Sequence, residues 1–249
     1  MSIHIIDYDV CLTCRRESCA YIDVVTKSGT IFSSEGSVCP TGVLQGNPAL
    51  ATSLPFSKKE CINCGLCAGY CSKSNLQADS NVGSMALSQC SSFGLNALVS
   101  SYLNKIFTFA ANSNRNSAAL FDAYVETEPE EEAFVEVDVK DALECCRNLL
   151  ADFLLYKGQF APEVSKGLIV LQEIPKNAGS QIYTVIEKMR LIPQLESKQI
   201  FFTSFAFLRY LFLNPQPERV RFDDIFYNPR SESLLDYKTR IFKELVYKL

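Results

Sequence analysis

From Leu95 to Ile106 apolar residues recur at Leu95, Leu98, Val99, Tyr102, Leu103 and Ile106, the spacing of an amphipathic helix. Phe107 to Ala111 reads as a strand, and Asn112 to Asn116 as a polar turn. Leu120 to Glu126 and Ala133 to Lys140 alternate apolar and polar positions around Glu128-Pro129-Glu130-Glu131, which predicts a hairpin. A helix follows from about Asp141 to Lys157, with Leu143, Cys146, Leu150, Phe153 and Leu154 on one face. Gly167 to Gln172 is almost entirely apolar, as a strand buried on both faces is. Ser180 to Leu191 predicts a helix with Ser180 as its N-cap. Gln199 to Thr203 predicts a strand, and a helix follows to Leu213. Pro215 and Pro217 break the chain, and Ser231 to Tyr247 closes it with an amphipathic helix. Strands alternating with helices predict a central mixed sheet flanked by helices over residues 91–249.

The first ninety residues follow another pattern. Ala20 to Thr26 and Thr30 to Phe32 are two β-rich runs around Lys27-Ser28-Gly29, a second predicted hairpin. Pro48, Pro55 and their Ser, Thr and Asn neighbours form a connector, and Ser72 to Gln89 is a polar exit.

Composition narrows the class. The chain has 249 residues, 47% hydrophobic and 21% charged, which suits one large or two ordinary globular domains. The expected boundary lies between residues 1–90 and 91–249. The formal charge of −4 and pI of about 5.2 argue against a strong stand-alone grip on nucleic acid. The start lacks the basic region and long apolar run of a signal peptide. The greasiest stretch, Phe201 to Leu213, is too short for a membrane span and carries Arg209. A cytoplasmic protein with no membrane span is the expectation. The single histidine, His4, removes zinc fingers with paired histidines and most histidine-based catalysis. The phosphate-binding patterns G-x-x-x-x-G-K-[ST] and G-x-G-x-x-G are absent, so nucleotide binding has no support.

Chemistry enters with the 11 cysteines, eight of which fall into two spaced groups. Without an export signal, such grouping argues for metal ligation over disulfides. Cys61, Cys64, Cys67 and Cys71 stand as C-x2-C-x2-C-x3-C, the ligand run of a [4Fe–4S] site. Gly65 is expected to let the loop close over inorganic sulfide without a Cβ in the way. Cys11, Cys14 and Cys19 open the other group, and Cys39-Pro40-Thr41-Gly42 completes it. A pair of all-cysteine zinc sites is the alternative, but zinc ribbons prefer two C-x-x-C knuckles far apart in sequence. Cys90, Cys145 and Cys146 are left over and read as small core residues.

These residues resemble the dicluster bacterial ferredoxins: Cys39-Pro40-Thr41-Gly42 is similar to their C-P-T-G, and Glu60-Cys61 to Cys71 to their second motif. The four-residue gap before Cys19 is similar to that in electron-transfer subunits of molybdenum oxidoreductases. The resemblance covers about the first 85 residues and implies an α+β ferredoxin-like domain with crossed ligation. Cys11, Cys14, Cys19 and Cys71 would hold one [4Fe–4S] cluster, and Cys61, Cys64, Cys67 and Cys39 the other. Two departures are visible: the hairpin separates Cys19 from Cys39, and Ser72 rather than proline follows Cys71.

The second hairpin carries another candidate site. Val135, Val137 and Val139 alternate with Glu136, Asp138 and Lys140, which therefore share one strand face. With a turn centred near Glu130, Asp122 stands opposite Asp138, an arrangement in which paired acids share one Mg²⁺. A hairpin with one wet face shows the same alternation. The order of elements, with D…(D/E)-x-K, resembles the restriction-endonuclease-like, or PD-(D/E)xK, nucleases from about Leu95 to Thr203. That resemblance implies Asp122 and Asp138 as metal ligands, Lys140 orienting the attacking water, Glu136 as an assisting acid, and metal-assisted hydrolysis of DNA. No proline precedes Asp122, where the family often has one.

Two functions remain in view. One is an iron–sulfur protein with two [4Fe–4S] clusters for electron transfer or redox sensing, fused to an α/β domain. The other is a metal-dependent DNA nuclease with structural or regulatory clusters. Either implies a protein partner, a redox enzyme in the first case and a defence or repair subunit in the second.

Overall fold

The computed structural model describes residues 4–7, 9–10, 25–26, 29–30, 61–71, 73–78, 86–90, 92–107, 109–112, 123–128, 131–138, 141–155, 164–174, 180–214 and 221–243. Near the chain start lie β1 (His4–Ile5) and the short hairpin of β2 (Val25–Thr26) and β3 (Gly29–Thr30). The cysteine run contributes α1 (Leu66–Tyr70), followed by β4 (Leu76–Gln77). Then come α2 (Ser92–Ile106), β5 (Phe109–Asn112), β6 (Ala123–Glu128), β7 (Glu131–Val137) and α3 (Ala142–Leu155). The remainder is β8 (Lys166–Leu171), α4 (Ser180–Met189), β9 (Gln199–Ser204), α5 (Phe205–Leu213), α6 (Phe222–Ile225) and α7 (Leu234–Ile241). Among the described residues no helix is long and apolar enough to cross a membrane.

β5 to β9 form one sheet in sequence order. The first two pairings are antiparallel, and β7, β8 and β9 run parallel. Each of the two parallel pairings is bridged by a helix, α3 or α4, as such crossovers demand. Residues of β7, β8 and β9 alternate between two apolar layers. Val135, Leu168, Val170 and Phe201 pack with Leu98, Tyr102 and Leu103 of α2 and with Leu208 and Phe212 of α5. Phe134, Ile169, Leu171, Ile200 and Phe202 pack with α3, α4 and α7. Both faces of β8 are covered, which accounts for its apolar run: all six of its residues are buried.

The expected hairpin of β6 and β7 forms, with a different register. Ala123 pairs with Val135, whereas an Asp122–Asp138 pairing requires Ala123 opposite Val137. The pairing shifts again between Glu126 and Glu128, where the ladder is irregular. The expected wet face of β7 is also corrected. β7 is an interior strand, and the face bearing Phe134 and Glu136 lies under α3.

The described residues on either side of position 90 share one core. Ile62, Leu66, Leu76 and Leu87 belong to the same apolar cluster as α2 and α5. β1 pairs antiparallel with β4, placing His4 opposite Gln77 and Ile5 opposite Leu76. The start of the chain is thereby stapled to the segment just past Cys71.

Candidate functional site

The cysteine run begins as an irregular loop, Cys61 to Gly65, and becomes helical at Leu66. Two of its residues adopt left-handed backbone, Asn63 at φ 55° and Gly65 at φ 77°, and these turn the loop back on itself before α1. Gly65 carbonyl accepts from Gly69 N–H at 2.9 Å, and Cys71 N–H closes the helix on Ala68 carbonyl at 3.3 Å. Cys64 and Cys67 are buried, Cys61 and Cys71 half-buried, and none of the four is in a disulfide.

The two glycines of the run meet different neighbours. A Cβ on Gly65 would face Leu213 Cδ1 at 3.1 Å and Arg209 Nε at 3.4 Å. Its Cβ side is therefore turned toward α5, and its left-handed φ is what calls for glycine. Gly69 is the sterically obligatory one: a Cβ there would lie 2.0 Å from Phe212 Cε1.

The loop and α1 are gripped from two helices. From α2, Tyr102 donates its hydroxyl to Cys64 carbonyl at 2.5 Å, and Lys105 Nζ donates to Gly69 carbonyl at 2.9 Å. Tyr70 returns a bond from α1 to Ser101 carbonyl at 2.9 Å. From α5, Arg209 Nη2 donates to Asn63 Oδ1 at 3.2 Å. The Phe212 ring sits 5.1 Å from those of both Tyr70 and Tyr102, with Lys105 Nζ 4.5 Å above it.

Burial pushes the Tyr102 phenol well above its ordinary pKa. Cys64, Cys67 and Cys90 push it further, and Arg209 pulls it down. Burial likewise raises Tyr70, to about 12, and lowers Lys105. Tyr102 and Tyr70 thus act here as neutral hydrogen-bond donors.

Asn75 joins the run to the chain start. Its Oδ1 accepts from Asp7 N–H at 2.9 Å, and its Nδ2 donates to Asp7 carbonyl at 2.5 Å. Its carbonyl accepts from Ile6 N–H at 3.0 Å, while its own N–H donates to Cys71 Sγ at 3.3 Å.

The donor set suits a soft-ligand group, since thiolates from one tight loop select iron–sulfur clusters, zinc or copper(I). Among the described residues no three His, Cys, Asp or Glu side chains stand together as ligands of a metal ion. The fit rests on the thiols, the coil of the loop and the N–H aimed at Cys71 sulfur. Cys11, Cys14, Cys19 and Cys39 lie outside the described residues.

The second candidate site is less assembled. Asp122 and Lys140 lie outside the described residues. Glu136 is buried, and its Oε2 accepts from Asn148 Nδ2 of α3 at 3.2 Å. Asp138 stands just past the carboxyl end of β7, where its N–H donates to Val170 carbonyl at 3.1 Å. Its Oδ1 accepts from Asp141 N–H at 3.0 Å, and Asp141 in turn accepts from Leu143 and Glu144 N–H. Asp138 and Asp141 together organise the entry to α3.

Sequence reasoning overlooked Tyr102, Lys105, Asn75 and Gly69 as parts of the cysteine site, and treated Arg209 only as evidence against a membrane span. Arg209 carried the one available signal, as the sole charge in the apolar stretch Phe201 to Leu213. Searches against protein-family models, curated proteins and solved structures return no match.

Proposed function

We propose that the chain is an iron–sulfur protein whose ferredoxin-like cysteine framework holds two [4Fe–4S] clusters for electron transfer or redox sensing, with one cluster seated against an α/β layer. Cys61, Cys64, Cys67 and Cys39 hold the seated cluster; Cys11, Cys14, Cys19 and Cys71 hold the other. The observation that supports this reading is the cysteine run folded as a tight loop with left-handed backbone at Asn63 and Gly65 and no disulfide among its four cysteines, with Asn75 tying the chain start to Cys71. Crossed ligation needs that juxtaposition, because Cys11 follows Asp7 by only four residues. When bound, the clusters supply one-electron chemistry. The chain's own residues supply thiolates, an N–H to the Cys71 sulfur, and apolar packing of Leu66, Phe212 and Leu213 against the run.

Anaerobic reconstitution tests this reading. Two clusters correspond to about eight irons and about eight sulfides per chain, with broad visible absorption bleached reversibly by dithionite. Cys67→Ser should remove about half the iron. A colourless chain loaded with zinc would overturn the proposal.

A second reading, a metal-dependent DNA nuclease of restriction-endonuclease-like type, is favoured by one observation: the order helix, three antiparallel strands, helix, parallel strand, with Asp138 at the carboxyl end of the third strand. On this reading Asp122 and Asp138 would bind Mg²⁺ across a hairpin whose register differs by two residues from the one that sets them opposite each other, and Lys140 would orient water. Mg²⁺- or Mn²⁺-dependent DNA cleavage should vanish in Asp138→Ala and Lys140→Ala. Cleavage unchanged in both would identify a contaminant.

A further inference from the structure

We infer that Arg209 is the buried countercharge of the cluster held by Cys61, Cys64 and Cys67, raising its reduction potential and linking its redox state to helix α5. The inference rests on the iron–sulfur reading above and names a regulatory residue within it. Arg209 is 2% exposed, on a helix otherwise made of Phe, Ala, Leu and Tyr. A guanidinium does not lose its proton in a protein, so the site holds a permanent positive charge. Burying such a charge is costly unless opposite charge and hydrogen bonds compensate.

The side chain is aimed at the cysteine loop. Nη2 bonds Asn63, which stands between Cys61 and Cys64, and Nε lies 3.4 Å from where a Gly65 Cβ would point. Both contacts fall on the two left-handed residues that shape the loop. Arg209 lowers the pKa of the Tyr102 phenol while Cys64 and Cys67 raise it, so the guanidinium and both thiols lie within electrostatic reach of one buried side chain.

A cubane ligated by four thiolates is anionic, and reduction adds one electron and one more negative charge without making or breaking a covalent bond. A fixed positive charge nearby therefore favours the reduced form, and its burial limits solvent screening. Linkage runs both ways: if Arg209 stabilises the reduced cluster, reduction must tighten the hold of the loop on Arg209, and so on α5. Among the described residues Lys105 also brings a cation to the run, through Gly69 carbonyl, and it is open to solvent, where screening weakens its pull.

The test uses the full chain, reconstituted anaerobically, with dithionite as one-electron donor. Iron and sulfide are counted, the potential is read by redox titration with electron paramagnetic resonance, and amide exchange is compared between oxidised and reduced wild type. Arg209→Met should shift the affected cluster to a more negative potential. Arg209→Lys, which keeps charge but not the planar fork, should fall between Arg209→Met and wild type. Residues 205–213 should exchange more slowly in the reduced wild-type protein. A fully loaded Arg209→Met with the wild-type potential overturns the inference and leaves the iron–sulfur reading intact. If Arg209→Met fails to load, equal exchange of 205–213 in the two wild-type states overturns it instead. Wild type that takes up no iron overturns the reading and the inference together.

Discussion

At Gly69 a methyl group would arrive 2.0 Å from Phe212 Cε1, in a ring that also touches Tyr70 and Tyr102. Gly69→Ala should therefore force the ring out and cost about 1–3 kcal/mol, read as a fall in the urea midpoint. Gly65→Ala has room if Leu213 yields, but it must hold φ 77°. That conformation costs an L-residue about 1–2 kcal/mol. Burial, aided by Asp141, pushes the Cys146 thiol from 9.0 up to about 12. A thiol raised on folding contributes stability that is complete below pH 9 and is lost as pH climbs toward about 12. Burial of Tyr70 adds a loss that begins near pH 10. Stability should fall on the alkaline side, and Cys146 should resist a thiol reagent at pH 8 that labels Cys61 and Cys71 in cluster-free protein. Spacing identified the cysteine run, yet which glycine served φ and which served packing was decided by Phe212, 143 positions beyond Gly69. No local pattern carries that information.

Among the elements, strands and helices from α2 onward were legible because their periods are clean: α2, α3, β8, α4 and β9 stand close to where apolar spacing put them. The β6–β7 register was not. Alternation reports parity, and a slip of two residues leaves every side chain on the same face. The pairing of Ala123 with Val135 was therefore indistinguishable in sequence from Ala123 with Val137. The turn itself, rich in glutamates, offers no Asn-Gly or Asp-Gly to fix it. Glu136 also misled, because a charged residue on an alternating strand reads as wet, while here Asn148 of α3 covers it. The entry to α3 makes a separate prediction. Asp141 Oδ1 accepts two of the first N–H groups of the helix, so Asp141→Ala should cost about 1 kcal/mol, seen as a lower thermal midpoint. Asp141→Asn should retain most of that.

Across the whole molecule, the cysteine run packs as part of the α/β core. Ile62, Leu66 and Phe212 lie in one cluster with sheet residues Val135, Leu168 and Phe201. Sequence divided the chain by composition at about residue 90, since ligand spacing and helix–strand rhythm are different signals. It contained nothing to say that the two parts share buried surface. The chain start is attached through the three hydrogen bonds of Asn75 to Ile6 and Asp7. Asn75→Ala removes the two made by its side chain, each worth about 1 kcal/mol net. Faster amide exchange at Asp7, with the rest of the fold unchanged, is the expected result; unchanged exchange at Asp7 would show that the β1–β4 pairing suffices.

Arg209 and Asn63 meet across 146 positions of chain. On a ribosome, then, the cysteine loop emerges long before the helix that will lie over it. On the iron–sulfur reading proposed above, its thiols are open to incoming iron throughout that interval. On that reading, loading before α5 has been made needs no rearrangement, and late loading would have to reopen a finished wall. Ribosome-stalled chains ending near residue 200 should accept iron more readily than completed, folded apoprotein; equal uptake by the two would refute this order of events.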